Sequence, residues 1–338
     1  MHTRPKALIA VDEEMFSTIF SQKDIQRLHS FAEVLNPQPP RRADKRFLLD
    51  HIAPAHIVIS SWGTDALDQE IMERAENLVL VCHAAGSIRP IVSEMLWNKG
   101  VRVTSGAAAI AYGVAEFCLG LMLTASKRVF WQARATNHGL WAEASKCFGG
   151  GFEIYQQNIG IIGAGHIGRR LLQLLKTSFV CNLFVYDPYL SAEKAIEMGA
   201  VKLETLDELF ATCRVVSLNA PTNEDTRHML RGHHFAALKP GSVFINSAGS
   251  IQIHEEEFIE ELRKGRFVAC IDRCEEEPVQ LDHPYRHLPN VLLTPHIAGV
   301  MAENRLRIGT FAVDEIEKYV RDGGLIHEVT KEALARMA

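Results

Sequence analysis

The feature that most constrains the fold of this 338-residue chain is a glycine motif near its middle. From Asn158 the sequence reads N-I-G-I-I-G-A-G-H-I-G, continues through a leucine-rich helical stretch, and reaches the strand-like C-N-L-F-V-Y-D that ends at Asp187. Gly163 permits a tight turn after the first strand, Gly165 lets the backbone approach a pyrophosphate, and Gly168 lets the following helix pack closely. The motif therefore predicts a dinucleotide-binding βαβ unit.

The end of the second strand indicates which dinucleotide is bound. A helix that begins at His166 and Ile167 would offer unpaired N–H groups and its positive dipole end to the phosphates. Asp187 follows Gly168 by 19 residues, close to the roughly 20-residue offset at which a carboxylate meets the adenosine ribose hydroxyls. A 2'-phosphate would face this carboxylate, and neither of the next two residues is positively charged. We therefore expect NAD as the cofactor, not NADP.

Length, composition and charge indicate a soluble globular protein of about two domains. Apolar residues make up 47% of the chain and charged residues 23%, values that exclude a disordered chain. The formal net charge is −5, and no run of lysine or arginine is longer than a pair. Nucleic acid is therefore not an expected partner.

Membrane segments and metal sites are not expected either. The longest apolar stretch, residues 114–125, contains Glu116 and is shorter than the about 20 residues of a membrane span. The 15 histidines are scattered along the chain, and the seven cysteines do not form a four-ligand zinc motif. The odd number of cysteines also favours reduced thiols, and we expect a cytoplasmic protein.

Short apolar runs that alternate with helical patterns predict two parallel α/β sheets. A first series of strands is expected at residues 7–11, 57–59, 78–82 and 101–103. A second series of six strands is expected at residues 158–162, 183–187, 215–218, 242–246, 268–272 and 291–293. Six strands complete a dinucleotide-binding sheet.

The predicted helices suggest how the chain divides between these sheets. Helical spacing marks residues 23–33, 91–98 and 301–320, and one long helix is expected over residues 107–136. The last helix most simply returns to the first sheet. We therefore expect a discontinuous substrate domain of residues 1–112 and 299–338, and a cofactor domain of residues 113–298.

A histidine and a glutamate follow predicted strands near the end of the chain. His296 stands in T-P-H-I-A-G after the last predicted strand, and Glu277 follows the strand that ends at Asp272. Open parallel sheets bind ligands at this edge. A carboxylate beside an imidazole fixes its tautomer and stabilises its protonated form, which gives a proton donor that works near neutral pH. With a nicotinamide, the pair favours carbonyl reduction and the reverse alcohol oxidation.

A series of motifs extends this pattern over most of the chain. They read L-V-L-V-C-H-A-A-G-S-I-R near residue 78, Y-G-V-A-E-F at 112, G-A-G-H-I-G at 163, N-A-P-T-N-E-D-T at 219, K-P-G-S-V-F-I-N at 239, D-R-C-E-E-E-P at 272 and L-P-N-V-L-L-T-P-H-I-A-G at 288. In order and spacing the chain resembles the D-isomer-specific 2-hydroxyacid dehydrogenases. The resemblance implies a two-domain α/β fold: a doubly wound, parallel-sheet Rossmann NAD domain and a smaller flavodoxin-like substrate domain. It also implies a small 2-oxo or 2-hydroxy acid as substrate, and a homodimer formed in part by the long helix near Tyr112.

The resemblance implies roles for individual residues as well. His296 would be the acid/base with Glu277 as its partner, and Asp272 would hold the nicotinamide carboxamide. The backbone at the substrate carboxylate would be that of Ala85, Gly86 and Ser87. Further residues expected at the cofactor are Ala220, Pro221, Thr226, Ser247, Ala248 and Gly299.

One position departs from the family pattern. Where the family has an arginine followed by glycine, this chain has Gly249 and Ser250. The guanidinium that binds the substrate carboxylate in the family is therefore missing. Losing such a donor typically slows turnover about a hundred- to a thousandfold.

Three explanations for Gly249 stay open. Another cation could replace the arginine: Arg89 in the A-A-G-S-I-R-P loop, or Arg273, although strand alternation would point Arg273 away from the cofactor. The substrate could differ from a simple 2-oxo acid. Alternatively, the chain could be a weakly active NAD(H)-binding regulator or scaffold, or could carry an engineered glycine. Of these classes we expect an NAD-dependent dehydrogenase.

Overall fold

The computed structural model describes residues 4–141, 151–334 and 336–337. The chain forms two compact units, one of Met1–Ile110 with Val300–Ala338 and one of Ala111–Gly299. The first unit is therefore discontinuous in sequence. Each unit contains one sheet whose strand pairs are parallel, and the expected α/β fold class is confirmed. Strands of such sheets are buried on both faces, which explains their nearly continuous apolar sequences.

The discontinuous unit has a five-stranded sheet in the order β2-β1-β3-β4-β5. This order is that of a flavodoxin-like sheet. Its strands are β1 Lys6–Ala10, β2 Glu33–Val34, β3 Ile57–Ser60, β4 Leu80–His83 and β5 Arg102–Ser105. The helices around it are Glu13–Ile19, Gln22–Phe31, Lys45–His51, Gln69–Arg74, Glu94–Asn98, Arg305–Asp322 and Lys331–Leu334.

The continuous unit has a seven-stranded sheet in the order β12-β11-β10-β9-β6-β7-β8. The order reverses between β6 and β9, as in doubly wound dinucleotide-binding folds. Its strands are β6 Asn158–Ile162, β7 Asn182–Tyr186, β8 Val201–Lys202, β9 Val215–Leu218, β10 Val243–Asn246, β11 Val268–Ile271 and β12 Val291–Leu293. Its helices are Val129–Asn137, His166–Ser178, Ala192–Glu197, Leu206–Thr212, Gly232–Ala237, Glu255–Arg263 and Pro284–His287, and Ala107–Ser126 continues into it from the other unit.

Sequence reasoning missed one strand in each sheet. Glu33–Val34 and Val201–Lys202 are only two residues long and partly exposed. A segment of this length cannot display the apolar run or the alternation that marks a strand. The other predicted strands all appear, with slightly different ends.

The single long helix predicted over residues 107–136 is wrong. The structure has two helices, Ala107–Ser126 and Val129–Asn137, because Arg128 between them adopts a left-handed conformation with φ 59°. The Arg128 side chain is fully buried and donates to the carbonyls of Ala125 at 2.9 Å and Gly241 at 2.6 Å. A buried arginine that interrupts a helix in this way does not change the helical spacing of the apolar residues, so the sequence pattern does not reveal it.

The first of these helices also bears on the expectation that no segment spans a membrane. Ala107–Ser126 has 20 residues and a mean hydropathy of 1.7 over its most apolar window, so by length and composition alone it could cross a bilayer. The argument from the 12-residue stretch within it therefore does not exclude a membrane segment. Core helices pass the same test, and 44% of this window is buried.

Candidate functional site

The glycine motif forms the turn between β6 and the helix His166–Ser178. Gly163 has φ 92°, and a Cβ built there would lie 2.8 Å from the Cα of Ala220. A Cβ on Gly168 would lie 2.0 Å from the carbonyl oxygen of Gly163, whereas one on Gly165 would meet nothing within 4 Å. The turn is thus tightly packed on the protein side and open at Gly165.

This open side suits the diphosphate of a dinucleotide. Gly165 is the N-cap of this helix, and no side chain caps the helix there. Helix N-termini of this kind bind anions through N–H groups and the helix dipole. The residues present therefore fit a dinucleotide phosphate.

Asp187 follows β7 directly and lies beside the glycine turn. Its Oδ2 accepts a hydrogen bond from Ala164 N–H at 2.8 Å, and its Oδ1 accepts one from Tyr189 N–H at 2.8 Å. A carboxylate offers about four acceptor positions, so two remain for ribose hydroxyls. The structure thus brings the predicted ribose partner to the predicted phosphate turn.

The loop that contains Ala220, Pro221 and Thr226 is held by side chains. Thr226 Oγ1 donates to the Pro221 carbonyl at 2.8 Å. Gln252 Nε2 donates to the Ala220 carbonyl at 3.1 Å and to the Pro221 carbonyl at 3.0 Å. Sequence reasoning missed Gln252, which is fully buried, because a glutamine that bonds distant carbonyls has no motif.

Ser247 and Ala248 follow β10 at the same edge of the sheet. Ser247 Oγ lies 3.1 Å from Cys118 Sγ, and Ala248 N–H donates to Asn246 Oδ1 at 3.2 Å. Gly299 follows the last strand, and a Cβ on Gly113 would lie 2.5 Å from its carbonyl oxygen. Position 113 therefore requires glycine for the close approach of the two segments.

His296 and Glu277 form a hydrogen-bonded pair. His296 Nδ1 lies 2.8 Å from Glu277 Oε2, and the two side chains are 47% and 33% exposed. His296 has φ 54°, a left-handed conformation that costs a non-glycine residue roughly 1–2 kcal/mol. Strain of this kind persists only where surrounding contacts fix it, and it is frequent at functional sites.

Those contacts come from Asp272, which is buried after β11. Its carboxylate accepts hydrogen bonds from Thr294 Oγ1 at 2.6 Å, Ile297 N–H at 2.9 Å and Ala298 N–H at 2.8 Å, while its carbonyl accepts one from His296 N–H at 3.0 Å. Three of about four carboxylate positions are thus used, which leaves one for a carboxamide N–H. Asp272 therefore fixes the loop that carries His296, a role that sequence reasoning missed.

Glu277 is held in its charged form by its surroundings. Burial opposes its ionisation, but the N–H of Cys274, the His296 imidazole and the positive charge of Arg273 together keep the pKa of Glu277 below its ordinary value. Cys274 N–H donates to Glu277 Oε1 at 3.1 Å, and Arg273 Nε lies 3.4 Å from the same oxygen. The carboxylate thus bridges an imidazole and a guanidinium.

The position of Arg273 differs from the sequence expectation. Strand alternation was expected to turn it away, but β11 ends at Ile271, so Arg273 lies beyond the strand and the alternation does not apply. Its guanidinium instead lies at the His296–Glu277 pair.

Gly249 is buried at the same edge. A Cβ built there would lie 2.4 Å from Thr222 Oγ1 and 3.0 Å from Gln252 Oε1. Within the described part of the chain, Gln252 Oε1 is buried without a hydrogen-bond partner. The space that a side chain at position 249 would use is therefore filled by Thr222 and Gln252.

The discontinuous unit presents Ala85, Gly86 and Ser87 after β4. Ala85 and Gly86 use their carbonyls inside the unit, to accept from Gly106 N–H at 2.8 Å and Ser105 Oγ at 2.5 Å. Among the residues described, the N–H groups at positions 85–87 have no hydrogen-bond partner. Three successive N–H groups of this kind can bind an anion.

Arg89 does not extend freely from this loop. It donates to the carbonyls of Leu334 at 2.6 Å and Met337 at 2.9 Å. It would have to leave both carbonyls before it could bind a substrate carboxylate.

His83, the last residue of β4, is a site residue that sequence reasoning did not single out. It is 4% exposed, with Nδ1 3.0 Å from Ser60 Oγ and a further hydrogen bond to the backbone carbonyl of Ser87. Burial lowers its pKa to about 4. His83 therefore connects β3 to the loop of Ala85, Gly86 and Ser87 as a neutral side chain.

One cluster in the described residues could offer three metal ligands: Asp207, His233 and His234. His234 Nδ1 accepts from Arg231 N–H at 2.9 Å, so the proton of the neutral ring lies on Nε2. That nitrogen faces Asp207 at 3.8 Å and cannot ligate while it carries the proton. The geometry of His234 therefore does not favour a metal ion at this cluster.

The six cysteines that the structure describes are free, and Cys147 lies outside the described residues. Burial raises the pKa of Cys270 to about 12 and that of Cys274 to about 11. Because the thiolate is the reactive form, these two cysteines near Asp272 are poor nucleophiles.

Comparison with known proteins places this geometry in a family context. The model of the D-isomer specific 2-hydroxyacid dehydrogenase NAD-binding domain matches residues 119–298. The chain is 31% identical to D-3-phosphoglycerate dehydrogenase of Methanocaldococcus jannaschii over 278 residues, which cover 82% of this chain and 52% of that protein. It thus spans about half the length of the first curated relatives that it matches.

Two other relatives match over most of their own length. Hydroxypyruvate reductase of Thermotoga maritima is 30% identical over 252 residues, which cover 74% of this chain and 80% of that protein. D-mandelate dehydrogenase of Rhodotorula graminis has a similar solved structure, with a TM-score of 0.83 and 21% identity, covering 97% of this chain and 98% of that one. At this identity the structural match supports the fold alone.

Proposed function

Because the chain belongs to the D-isomer specific 2-hydroxyacid dehydrogenase family and its cofactor is NAD, we propose that it is an oxidoreductase. Its reaction would move a hydride between the nicotinamide and C2 of a 2-oxo or D-2-hydroxy acid. The observation that carries the proposal is the His296–Glu277 pair, joined at 2.8 Å on a loop that Asp272 fixes. Such a pair supplies the proton that carbonyl reduction requires.

In this proposal the continuous unit holds the cofactor. The helix start at His166 and Ile167 would bind the diphosphate, Asp187 the adenosine ribose, and the remaining carboxylate position of Asp272 the carboxamide. The nicotinamide, when bound, supplies or accepts the hydride. The further cofactor contacts would come from Gly163, Gly165, Gly168, Ala220, Pro221, Thr226, Ser247, Ala248 and Gly299.

His296 would exchange the proton at Nε2, the ring nitrogen that does not bind Glu277. With Nδ1 held at the Glu277 carboxylate, a protonated His296 directs its second N–H away from the pair and can donate it to a carbonyl oxygen. In the reverse direction the neutral ring accepts a hydroxyl proton at the same nitrogen. Glu277 remains ionised throughout and stabilises the imidazolium form.

The substrate carboxylate is assigned to the discontinuous unit. The N–H groups of Ala85, Gly86 and Ser87 are the donors, and His83 keeps their loop in place through Ser60 and Ser87. We accordingly propose residues 1–112 with 299–338 as the substrate domain and residues 113–298 as the cofactor domain.

A screen with purified protein tests the activity. NADH absorbance is followed with a panel of 2-oxo acids, for wild type and for His296→Ala, while NADH fluorescence measures cofactor binding. Turnover that is lost in His296→Ala, with NADH binding intact, is the expected result. NADH binding without turnover on any acid would overturn the proposal.

That second outcome would favour a regulator or scaffold that binds NAD(H) with little activity. Gly249 is the observation behind this candidate, because it removes the family's arginine. If the substrate is atypical, the enzyme would instead turn over compounds that are not simple 2-oxo acids.

Asp187 carries the proposed preference for NAD over NADP. In Asp187→Ala the repulsion of a 2'-phosphate is removed along with the ribose hydrogen bonds, and each charge-assisted bond contributes about 1.5–3 kcal/mol. We expect the ratio of kcat/KM for NADH over NADPH to fall about tenfold or more. An unchanged ratio would mean that Asp187 does not select the cofactor.

We also propose a cytoplasmic homodimer. Val129 and Phe130, which follow the apolar helix Ala107–Ser126, are 44% and 39% exposed, as expected of a surface that a second copy covers. The free described cysteines suit a reducing compartment. Sedimentation at several concentrations should give twice the chain mass for wild type and a monomer for Phe130→Asp, and a monomeric wild type would contradict the assembly.

A further inference from the structure

We propose that Arg273 binds the anionic oxygens of the substrate and so replaces the arginine that is absent at Gly249. The inference rests on the proposed function and names the cation of that site. Three sets of observations carry it: the crowding at position 249, the location of Arg273 on the Glu277 carboxylate, and the donors that Arg273 still has available.

A side chain at position 249 would meet other side chains at once. A Cβ there would approach Thr222 Oγ1 to 2.4 Å, and the same space borders the buried Gln252 Oε1. Gln252 is in turn fixed by the Ala220 and Pro221 carbonyls. Thr222 and Gln252 would therefore have to shift for any side chain at position 249, and another residue can supply a cation without that shift.

Arg273 and His296 contact different oxygens of the Glu277 carboxylate. Its Nε lies 3.4 Å from Glu277 Oε1, while Glu277 Oε2 lies 2.8 Å from His296 Nδ1. The positive charge of Arg273 and the acid/base imidazole therefore share one carboxylate. Glu277 thus positions both groups.

The guanidinium still has donors to offer. Arg273 Nε is buried and has no hydrogen bond within the described residues, and none is found there for the two terminal nitrogens. The side chain is 38% exposed. Because a guanidinium carries five N–H donors in a planar fork, a carboxylate can be bound by two of them at once.

Other arginines that could serve are already engaged. Arg89 donates to the carbonyls of Leu334 and Met337. Arg286 donates to those of Val279 and Gln280. Arg227 forms a two-bond pair with Glu224 at 2.8 Å. Arg273 is held by one oxygen of Glu277 alone, so it can add a ligand without breaking a hydrogen bond.

The ligand class follows from this geometry. A 2-oxo acid presents a planar carboxylate beside a carbonyl oxygen, which matches the fork of Arg273 and the N–H donor of His296. Arg273 only binds and polarises, and it exchanges no proton because its guanidinium stays charged.

Arg273→Met tests the proposal, because it keeps the length of the side chain and removes the charge. Arg273→Lys keeps the charge and loses the fork. The matched control is Arg231→Met, since Arg231 Nε lies 3.0 Å from Glu257 Oε2 and its side chain is 46% exposed, an Arg–Glu pair in the same unit that includes none of the proposed site residues. Oxamate, a non-reacting 2-oxo acid analogue, is titrated by calorimetry into each NADH complex, and kcat/KM is measured on the best 2-oxo acid.

We expect Arg273→Met to weaken oxamate binding and lower kcat/KM about a hundredfold, with Arg273→Lys between it and wild type. NADH affinity should stay unchanged, and Arg231→Met should match wild type. If Arg273→Met changes the pH profile but leaves oxamate affinity intact, Arg273 only positions Glu277 and the proposal fails, although the proposed function stands. Absence of turnover and of oxamate binding in wild type would end both.

Discussion

Two histidines at the ends of parallel strands show how surroundings decide what one residue type can do. His296 follows β12, is 47% exposed on its side chain and contacts the Glu277 carboxylate. His83 ends β4, is 4% exposed and contacts the neutral Ser60 hydroxyl. The second is kept neutral because burial lowers its pKa to about 4, whereas the first has a carboxylate partner and access to solvent.

The comparison shows that position at a sheet edge is not enough to assign acid/base chemistry. Both histidines lie where open sheets bind ligands, yet only His296 has an ionised partner and solvent access. Glu277 itself stays charged because its pKa is held below its ordinary value. The site of proton exchange is therefore set by the partner and by burial together.

The largest effect that separates the two histidines is on turnover. His296→Asn removes the proton donor, and we expect kcat to fall about 10²–10⁴-fold. His83→Asn loosens the loop of Ala85, Gly86 and Ser87, so it should raise KM more than it lowers kcat. Steady-state NADH oxidation on one 2-oxo acid measures both variants. Equal losses of kcat would mean that burial and partner do not distinguish them.

The next effect is on the pH dependence of stability. His83 has a pKa of about 4 when folded against 6.5 when unfolded, so the unfolded chain binds the extra proton between these values. His83 therefore contributes full stability above about pH 6.5 and loses it as pH falls towards 4, a change of about 2–3 kcal/mol.

Urea unfolding at neutral pH and near pH 4.5 measures this change in wild type and in His83→Gln. We expect the variant to lose less stability than wild type between the two conditions, because glutamine does not titrate. Parallel curves for wild type and His83→Gln would show that His83 is not the group responsible.

A smaller effect, on the free energy of unfolding, is expected at Gly249. This residue lies at the same edge of the seven-stranded sheet as His296. Gly249→Ala places a Cβ 2.4 Å from Thr222 Oγ1, and overpacking of this kind costs about 1–3 kcal/mol. Gly249→Arg should be destabilised at least as much and should show no gain in rate, since Arg273 already supplies the cation. A hundredfold gain in kcat/KM for Gly249→Arg over Gly249→Ala would show that the native site lacks its anchor.

The fold could be predicted from the sequence wherever a pattern extends over several residues. The glycine motif and the buried strands located both sheets, and the seven-stranded sheet was missed only at the two-residue Val201–Lys202. The break at Arg128 could not be predicted, because it depends on the Gly241 carbonyl, 113 residues away. Contacts between distant segments leave no local signal.

The same reason explains what was missing from the site. His296, Glu277, Asp187 and the glycines were predicted from motifs at strand ends, and the structure places His296 on Glu277. The hydrogen bonds of Asp272 and of Gln252 depend on backbone groups that are distant in sequence. The contact of Arg273 with Glu277 depends on where β11 ends. These are properties of the folded chain that single residue types do not reveal.

The pH dependence of kcat/KM in both directions tests the role of the His296–Glu277 pair most directly. Reduction needs the protonated imidazole and oxidation needs the neutral one, so we expect reduction to slow as pH rises and oxidation to slow as pH falls. Both trends should disappear in His296→Asn. Trends that run in the same direction, or that persist without His296, would contradict proton exchange by this histidine.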